Sequence, residues 1–316
     1  VTSEPAVLLC GHGSRDPEAI DEFEQAAAAL RERLRGRDFT TGYLEFARPT
    51  IGEALAGLHE RGASRILAIP GMLFAASHVK NDLPWEMNSF MAAHPETEVR
   101  LGRDLGIDAK LLEAAADRIA AVSPERDRPD SLLVVVGRGT NDPDANSNIA
   151  KVARMLWEGL GFGWAEAAFS GVAHPRVGPA LDRAARLGFS RIVVFPYFLF
   201  TGVLVKRIYG ATDDAAARFP EIAFAKAGHL RDHPKVIDAF LDRIEECDTG
   251  EPAMNCQLCK YRTRIVGYDE AVGAPQQGHH HHVRGAGVGQ RHDHGHRHDH
   301  GHEHPHPHHH SHPREG

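Results

Sequence analysis

Short apolar runs alternate with longer amphipathic stretches from the start of the chain to about Glu246. The apolar runs read as strands over Val7–Cys10, Thr41–Phe46, Arg65–Pro70, Glu98–Gly102, Leu132–Val136, Glu166–Gly171, Arg191–Pro196 and Ile222–Gly228. Between them, apolar positions recur at helical spacing, for example over Ile20–Arg35, Ile51–Arg61, Asn148–Leu160 and Gly178–Leu187. Regular alternation of this kind predicts an α/β fold whose parallel sheets carry helices on both faces. The segment Ser123–Asp130, with two prolines and five charges, reads as a linker.

The first strand ends at Gly11-His12-Gly13-Ser14-Arg15-Asp16-Pro17, a turn that opens a helix. Its two glycines let backbone approach a ligand, and the helix N-terminus behind them favours anionic groups. A second copy of this stretch begins at Gly137, an offset of 126 residues. That offset also aligns Gly13 with Gly139, Asp16-Pro17 with Asp142-Pro143, Pro49 with Pro175, Pro70 with Pro196, Lys80 with Lys206 and Gly102 with Gly228. The chain therefore reads as two tandem, pseudo-symmetric α/β domains of flavodoxin-like or Rossmann-like type facing each other across a cleft.

The repeat acts as an internal control. Residues needed for the fold should be kept in both copies, whereas residues serving a single site can survive in one. His12 becomes Arg138, Glu45 becomes Gly171 and His78 becomes Leu204. In a parallel sheet all three positions of the first copy lie at the carboxyl edge, where α/β sheets place their ligands. Two imidazoles and a carboxylate suit cobalt, nickel, zinc or ferrous iron and leave coordination positions open. The competing reading is three unrelated polar residues at loop ends.

Composition narrows the class. Of 316 residues, 42% are hydrophobic and 25% charged, as in globular proteins. A net charge of −7 argues against nucleic-acid binding. No run is apolar enough to span a bilayer and Val1–Pro5 shows no signal pattern, so the expectation is a cytoplasmic protein. Four cysteines are too few for a disulfide framework. The 23 histidines are unusual, with seven before residue 240 and sixteen after 278. His279–His282 and the run His292–His312, interspersed with Asp, Gly, Glu and Pro, predict a disordered tail that binds divalent metals at many near-equal sites.

Taken with the later stretch Pro70-Gly71-Met72-Leu73-Phe74-Ala75-Ala76-Ser77-His78-Val79-Lys80-Asn81-Asp82, the first loop resembles the sirohydrochlorin chelatases, which work without ATP in cobalamin and sirohaem synthesis. The second copy, Gly137-Arg138-Gly139-Thr140-Asn141-Asp142-Pro143-Asp144-Ala145-Asn146-Ser147, resembles the degenerate repeat of the long-form cobaltochelatases. The resemblance implies that His12 and His78 hold the metal and that Glu45 assists. Together with the linker and the composition of the tail, it divides the chain into a chelatase domain over 1–122, a degenerate repeat over 131–246, a cysteine-containing segment over 247–275 and the tail over 276–316. Met254-Asn255-Cys256-Gln257-Leu258-Cys259 is similar to the MxCxxC stretch of that family, which implies an iron–sulfur cluster at Cys256 and Cys259 with Cys247 as a candidate third thiolate. A full set of ligands would need another residue or a second chain, hence a homodimer through this segment; a redox-labile pair or a zinc site is the rival.

The chemistry is consistent with that resemblance. Metal insertion into a tetrapyrrole needs a loosely held ion and acceptors for two pyrrole N–H protons, and histidine serves both near neutral pH. Sirohydrochlorin is an octacarboxylate, so Ser14, Arg15, Lys80, Arg138, Lys206 and Arg207 are candidate substrate contacts, each with a solvated surface role as the alternative. The chain has no Walker GxxxxGK[ST] and no GxSxG motif, and no Arg precedes the loop His as histidine phosphatases require. Cobalt is the expected metal, with iron insertion as the alternative within the enzyme class. A metal storage or delivery protein is the alternative of a different class.

Overall fold

A computed structural model describes residues 4–250 of the chain. Its first sheet comprises β1 (Ala6–Gly11), β2 (Phe39–Tyr43), β3 (Arg65–Pro70) and β4 (Glu98–Leu101); the second comprises β5 (Ser131–Gly137), β6 (Trp164–Phe169), β7 (Arg191–Pro196) and β8 (Ala223–Lys226). All pairings are parallel, in the orders β2-β1-β3-β4 and β6-β5-β7-β8. The register repeats with the sequence: Leu9 pairs with Thr41 and Ile69, and Val135 pairs with Ala167 and Phe195. The helices are α1 (Pro17–Arg33), α2 (Ile51–Glu60), α3 (Leu83–Ala93) and α4 (Ala109–Ala120) in the first repeat, then α5 (Pro143–Leu160), α6 (Val177–Ala184), α7 (Val203–Arg218) and α8 (Pro234–Thr249). The α/β fold with two parallel sheets is thus as the sequence predicts. None of the helices described is long and apolar enough to cross a membrane.

Some element ends differ from the sequence reading, and three of the differences have clear local causes. β2 stops at Tyr43 and β6 at Phe169, because the chain turns back at Phe46 and Val172, both at positive φ (62° and 50°). α5 starts at Pro143, five residues before the apolar periodicity begins. Asp142 caps it, accepting from the backbone N–H groups of Asp144 and Ala145. Asp16 caps α1 in the same way through Glu18 N, with Pro17 opening the helix.

Alternation along the central strands builds three layers of core. Val7 and Leu9 of β1 and Leu133 and Val135 of β5 belong to one continuous buried cluster shared by both repeats. The opposite faces, Leu8 and Cys10 in one sheet and Leu132 and Val134 in the other, pack under separate helices. The last helices cross between repeats: α8 packs on α1, α4 and β3 of the first, and α4 packs on α5 of the second. The sequence boundary at 246 therefore cuts α8, whose end is tied to the first repeat by Arg37–Asp248, Arg65–Asp248 and Arg103–Glu246 ion pairs. Two facing sheets with a common core hold the cleft between them in a fixed frame.

Candidate active site

The carboxyl ends of β1 and β3 deliver the two histidines. His12 follows β1, and the turn behind it requires Gly13, at φ +86°, where a Cβ would sit 1.7 Å from the Glu45 carbonyl oxygen. Gly139 repeats that approach to Gly171. His78 is reached by the loop after β3, which is pinned along its length: Gly71 N–H donates to Cys10 O, Leu105 N–H to Met72 O, Gly106 N–H to Leu73 O and Ala75 N–H to the Asp104 carboxylate. Burial pushes Asp104 up to about 6 despite that hydrogen bond. The loop ends in a π-helical turn, His78–Asp82, that runs directly into α3. Such turns recur at functional sites.

These elements bring the two imidazoles together, edge to face, with ring centroids 4.7 Å apart and planes at 84°. Each ring has its Nδ1 committed. His78 Nδ1 lies 2.7 Å from the carboxylate of fully buried Asp82, which is itself fixed by the Asn81 amide at 2.9 Å. His12 Nδ1 lies 2.9 Å from Gly13 O. A carbonyl and a carboxylate only accept, so both Nδ1 atoms donate, and the Nε2 atoms are the positions left to carry a lone pair in the neutral ring. A carboxylate behind a ligating imidazole raises its basicity and fixes its orientation. Asp82, which fixes the His78 ring, is a residue that the sequence reading left unassigned. Two signals were available: its i,i+4 spacing from His78, and its replacement by Ile208 in the second repeat.

Glu45 does not join this pair as a third close ligand. Among the described residues, the one trio of His, Cys, Asp or Glu whose ligand atoms all lie within 4.8 Å of one another is His59, His94 and Glu96, elsewhere in the molecule. Glu45 is 3% exposed, two residues past the end of β2, with its N–H donating to His12 O. Its charge acts instead on Arg138, the residue that replaces His12 in the second repeat. The cleft walls around Arg138 disfavour its charge and lower its pKa, and the Glu45 carboxylate opposes that shift.

The histidines line a cleft of about 540 Å³ between the repeats, within the usual range for small-molecule sites. Phe74, Phe198, Leu199, Phe200 and Val203 give it broad apolar walls, and Ser14, Arg15, Arg138, Thr140 and Asn146 place polar groups among them. Arg15 lies 4.8 Å over the Phe46 ring. Thr140 and Asn146, which the sequence reading did not single out, brace each other through two hydrogen bonds. A flat apolar body with an anionic periphery fits such a lining.

Three of the expected substrate contacts lie outside the cleft lining. Lys80 Nζ is ion-paired with Asp142 at 2.8 Å and Asp144 at 3.2 Å, its side chain 1% exposed. Lys206 Nζ meets Asp16 at 2.8 Å and Glu18 at 3.0 Å. Each lysine thus crosses to the capping aspartate of the other repeat, and their common role is to join the two halves. Arg207 donates to Ser170 O at 3.4 Å.

Cys247 also departs from expectation. It is buried in α8 with its Sγ 3.6 Å from Arg100 O, and burial pushes its thiol up to about 11, so it is not placed to serve as a thiolate ligand. Cys10 is likewise buried in β1 and held far above the usual thiol range. Cys256, Cys259, the dimer expected through their segment and the His-rich tail lie outside the described residues.

The family model CbiX matches residues 6–122 and again 132–247. A sirohydrochlorin cobaltochelatase of Priestia megaterium is 36% identical over 263 residues, covering 83% of this chain and 86% of the relative. A sirohydrochlorin ferrochelatase of Bacillus subtilis is 27% identical over 245 residues, 76% of this chain and 91% of the relative. Among solved structures, SirB from Bacillus subtilis with Fe3+ superposes with a TM-score of 0.70 at 26% identity, over 78% of this chain and 96% of that one. With its two matched repeats and facing parallel sheets, the chain belongs to the CbiX family of chelatases.

Proposed function

We propose that the protein is an enzyme that inserts a divalent metal, cobalt, into sirohydrochlorin, with His12 and His78 as the reacting pair. The observation that carries this is the edge-to-face contact of two imidazoles whose Nδ1 protons are held by Gly13 O and Asp82. With Nδ1 donating, a neutral ring carries its lone pair on Nε2, where it can ligate the incoming ion or take a pyrrole proton. A site with so few protein ligands releases its metal, whereas a closed tetrahedral cage would keep it.

Insertion replaces two pyrrole N–H protons with one divalent ion. The macrocycle enters the apolar cleft with its carboxylates toward Arg15 and Arg138. Desolvation inside the cleft strengthens those contacts. As two N–H bonds break, the imidazoles accept the protons and Asp82 stabilises the imidazolium that forms at His78. Glu45 balances Arg138 and keeps the floor of the site neutral. The reaction is redox-neutral and no step uses the cysteine pair.

Cobalt is supported by the 36% identical cobaltochelatase relative. Iron insertion is the second reading, favoured by ferrochelatase relatives at 32% and 27% identity. The same ligand types serve both ions. A storage role does not account for keeping His12, His78 and Asp82 in one repeat alone. Anaerobic initial rates with sirohydrochlorin and Co2+, Fe2+ or Ni2+ test the assignment: the highest kcat/KM is expected with Co2+, and the highest with Fe2+ would transfer it to sirohaem synthesis.

A further inference from the structure

A second cluster of metal-binding side chains lies at the other edge of the first sheet. His59 sits in the last turn of α2, His94 caps the end of α3, and Glu96 and Thr97 lead into β4. Helices between parallel strands run opposite to them, so these helix ends gather at the amino edge, away from His12 and His78. The ligand atoms of His59, His94 and Glu96 lie within 4.8 Å of one another. His59 Nε2 is 3.4 Å and His94 Nδ1 3.8 Å from the same Glu96 oxygen, and the rings are 4.6 Å apart.

Metal–nitrogen and metal–oxygen bonds of about 2.0–2.2 Å at tetrahedral angles put neighbouring ligand atoms about 3.4 Å apart. The cluster is close to that spacing as folded. His59 Nδ1 is held by the hydroxyl of buried Thr97 at 2.8 Å, which turns Nε2 toward Glu96. His94 is stacked on Phe90 with centroids 4.5 Å apart. The carbonyl ends of α2 and α3 both point here, and helix C-termini favour a cation.

The repeat supplies an independent argument. At the 126-residue offset, His59, His94, Glu96 and Thr97 become Ala185, Pro220, Ile222 and Ala223. The surrounding fold is kept in the second repeat without any of the four, so the fold does not demand them. This is the same one-sided retention that marks His12, His78 and Asp82.

We infer that His59, His94 and Glu96 form a second divalent-metal site, for an ion such as Zn2+, Co2+ or Ni2+, that ties the end of α2 to the end of α3. Glu96 is 61% exposed at its side chain, so water completes the coordination and the ion exchanges with solvent. The bound ion is not the one inserted; its role is confined to the amino edge of the first sheet.

The test uses the full chain with ZnCl2 or CoCl2 as probe. Crystals grown with the metal should show an anomalous peak at its absorption edge between His59 Nε2, His94 Nδ1 and the Glu96 carboxylate. In solution, the metal-dependent rise in Tm should be smaller by about 3 °C in Glu96→Gln and in His94→Ala than in the unmodified chain. Reaction cleft and tail are common to all three proteins, so the difference belongs to this cluster. Cobalt insertion by Glu96→Gln at excess metal should match the unmodified chain, which separates this site from the proposed reaction. An absent anomalous peak, or an equal metal-dependent rise in Tm, overturns the inference.

Discussion

The two repeats share a strand order, a register and a turn geometry, yet one carries the side chains proposed to react and the other does not. After β1 the chain offers His12, backed by the Gly13 carbonyl; after β5 the same backbone offers Arg138. The His78-to-Asp82 pair becomes Leu204 and Ile208. On the proposed reading, the duplicated fold divides the cleft into a face that handles metal and protons and a face that supplies an apolar wall and a cation. The difference teaches that one backbone frame can be kept in both copies while the histidine pair is kept in one.

The comparison is broken most directly by removing the first face. His78→Ala should lower the rate of cobalt insertion by about 10²–10⁴-fold, the usual worth of a positioned acid–base group. Leu204→Ala, its counterpart, should leave the rate within a few-fold. The change in sirohydrochlorin absorbance on metallation reads both. Comparable losses in the two variants would erase the proposed asymmetry.

The frame itself has unequal halves. Lys80 and Asp142 are each 1% exposed at the side chain, whereas Lys206 is 48% exposed against Asp16. Lys80→Met should strand buried Asp142 and cost about 3–5 kcal/mol of stability. Lys206→Met should barely move the urea midpoint, because water screens an exposed pair. Equal midpoints for the two variants would show that burial does not separate the joints.

Much of this was legible before any coordinates. A 126-residue offset announced the duplicated α/β frame, and one-sided retention picked out His12, Glu45 and His78. The same logic applied to Lys80 and Lys206, with Asp16 and Asp142, would have marked them as structural, since all four are kept in both copies. Charge and loop position instead single out the two lysines as substrate contacts. Asp82 was visible in the motif but became meaningful only with the hydrogen bond to His78. The crossing of α4 and α8 between repeats could not be read, because periodicity gives a helix an apolar face without saying which sheet covers it. Glu45 lies two residues past the end of β2 rather than within it, and its charge acts on Arg138.

Finer changes sharpen the division within the cleft. Asp82→Asn keeps the shape behind His78 but weakens the acceptor that orients it, and should lower kcat by about 10–100-fold with little change in KM for sirohydrochlorin. An unchanged kcat would mean that His78 needs no carboxylate behind it. Arg138→Ala should raise that KM by roughly tenfold while sparing kcat, the expected loss of one charge-assisted hydrogen bond to a carboxylate. A fall in kcat alone would move Arg138 from binding into the chemical step.

The central claim is that His12 and His78 act as one insertion site. The initial rate of cobalt insertion into sirohydrochlorin should be measured at saturating metal for the unmodified chain, His12→Ala, His78→Ala and the double variant. Groups acting as a unit are not additive. The account predicts a saturable rate well above the uncatalysed reaction, lost in either single variant, with the double variant no slower than the worse single. A double variant that keeps the rate, or two losses that simply multiply, would contradict a shared site.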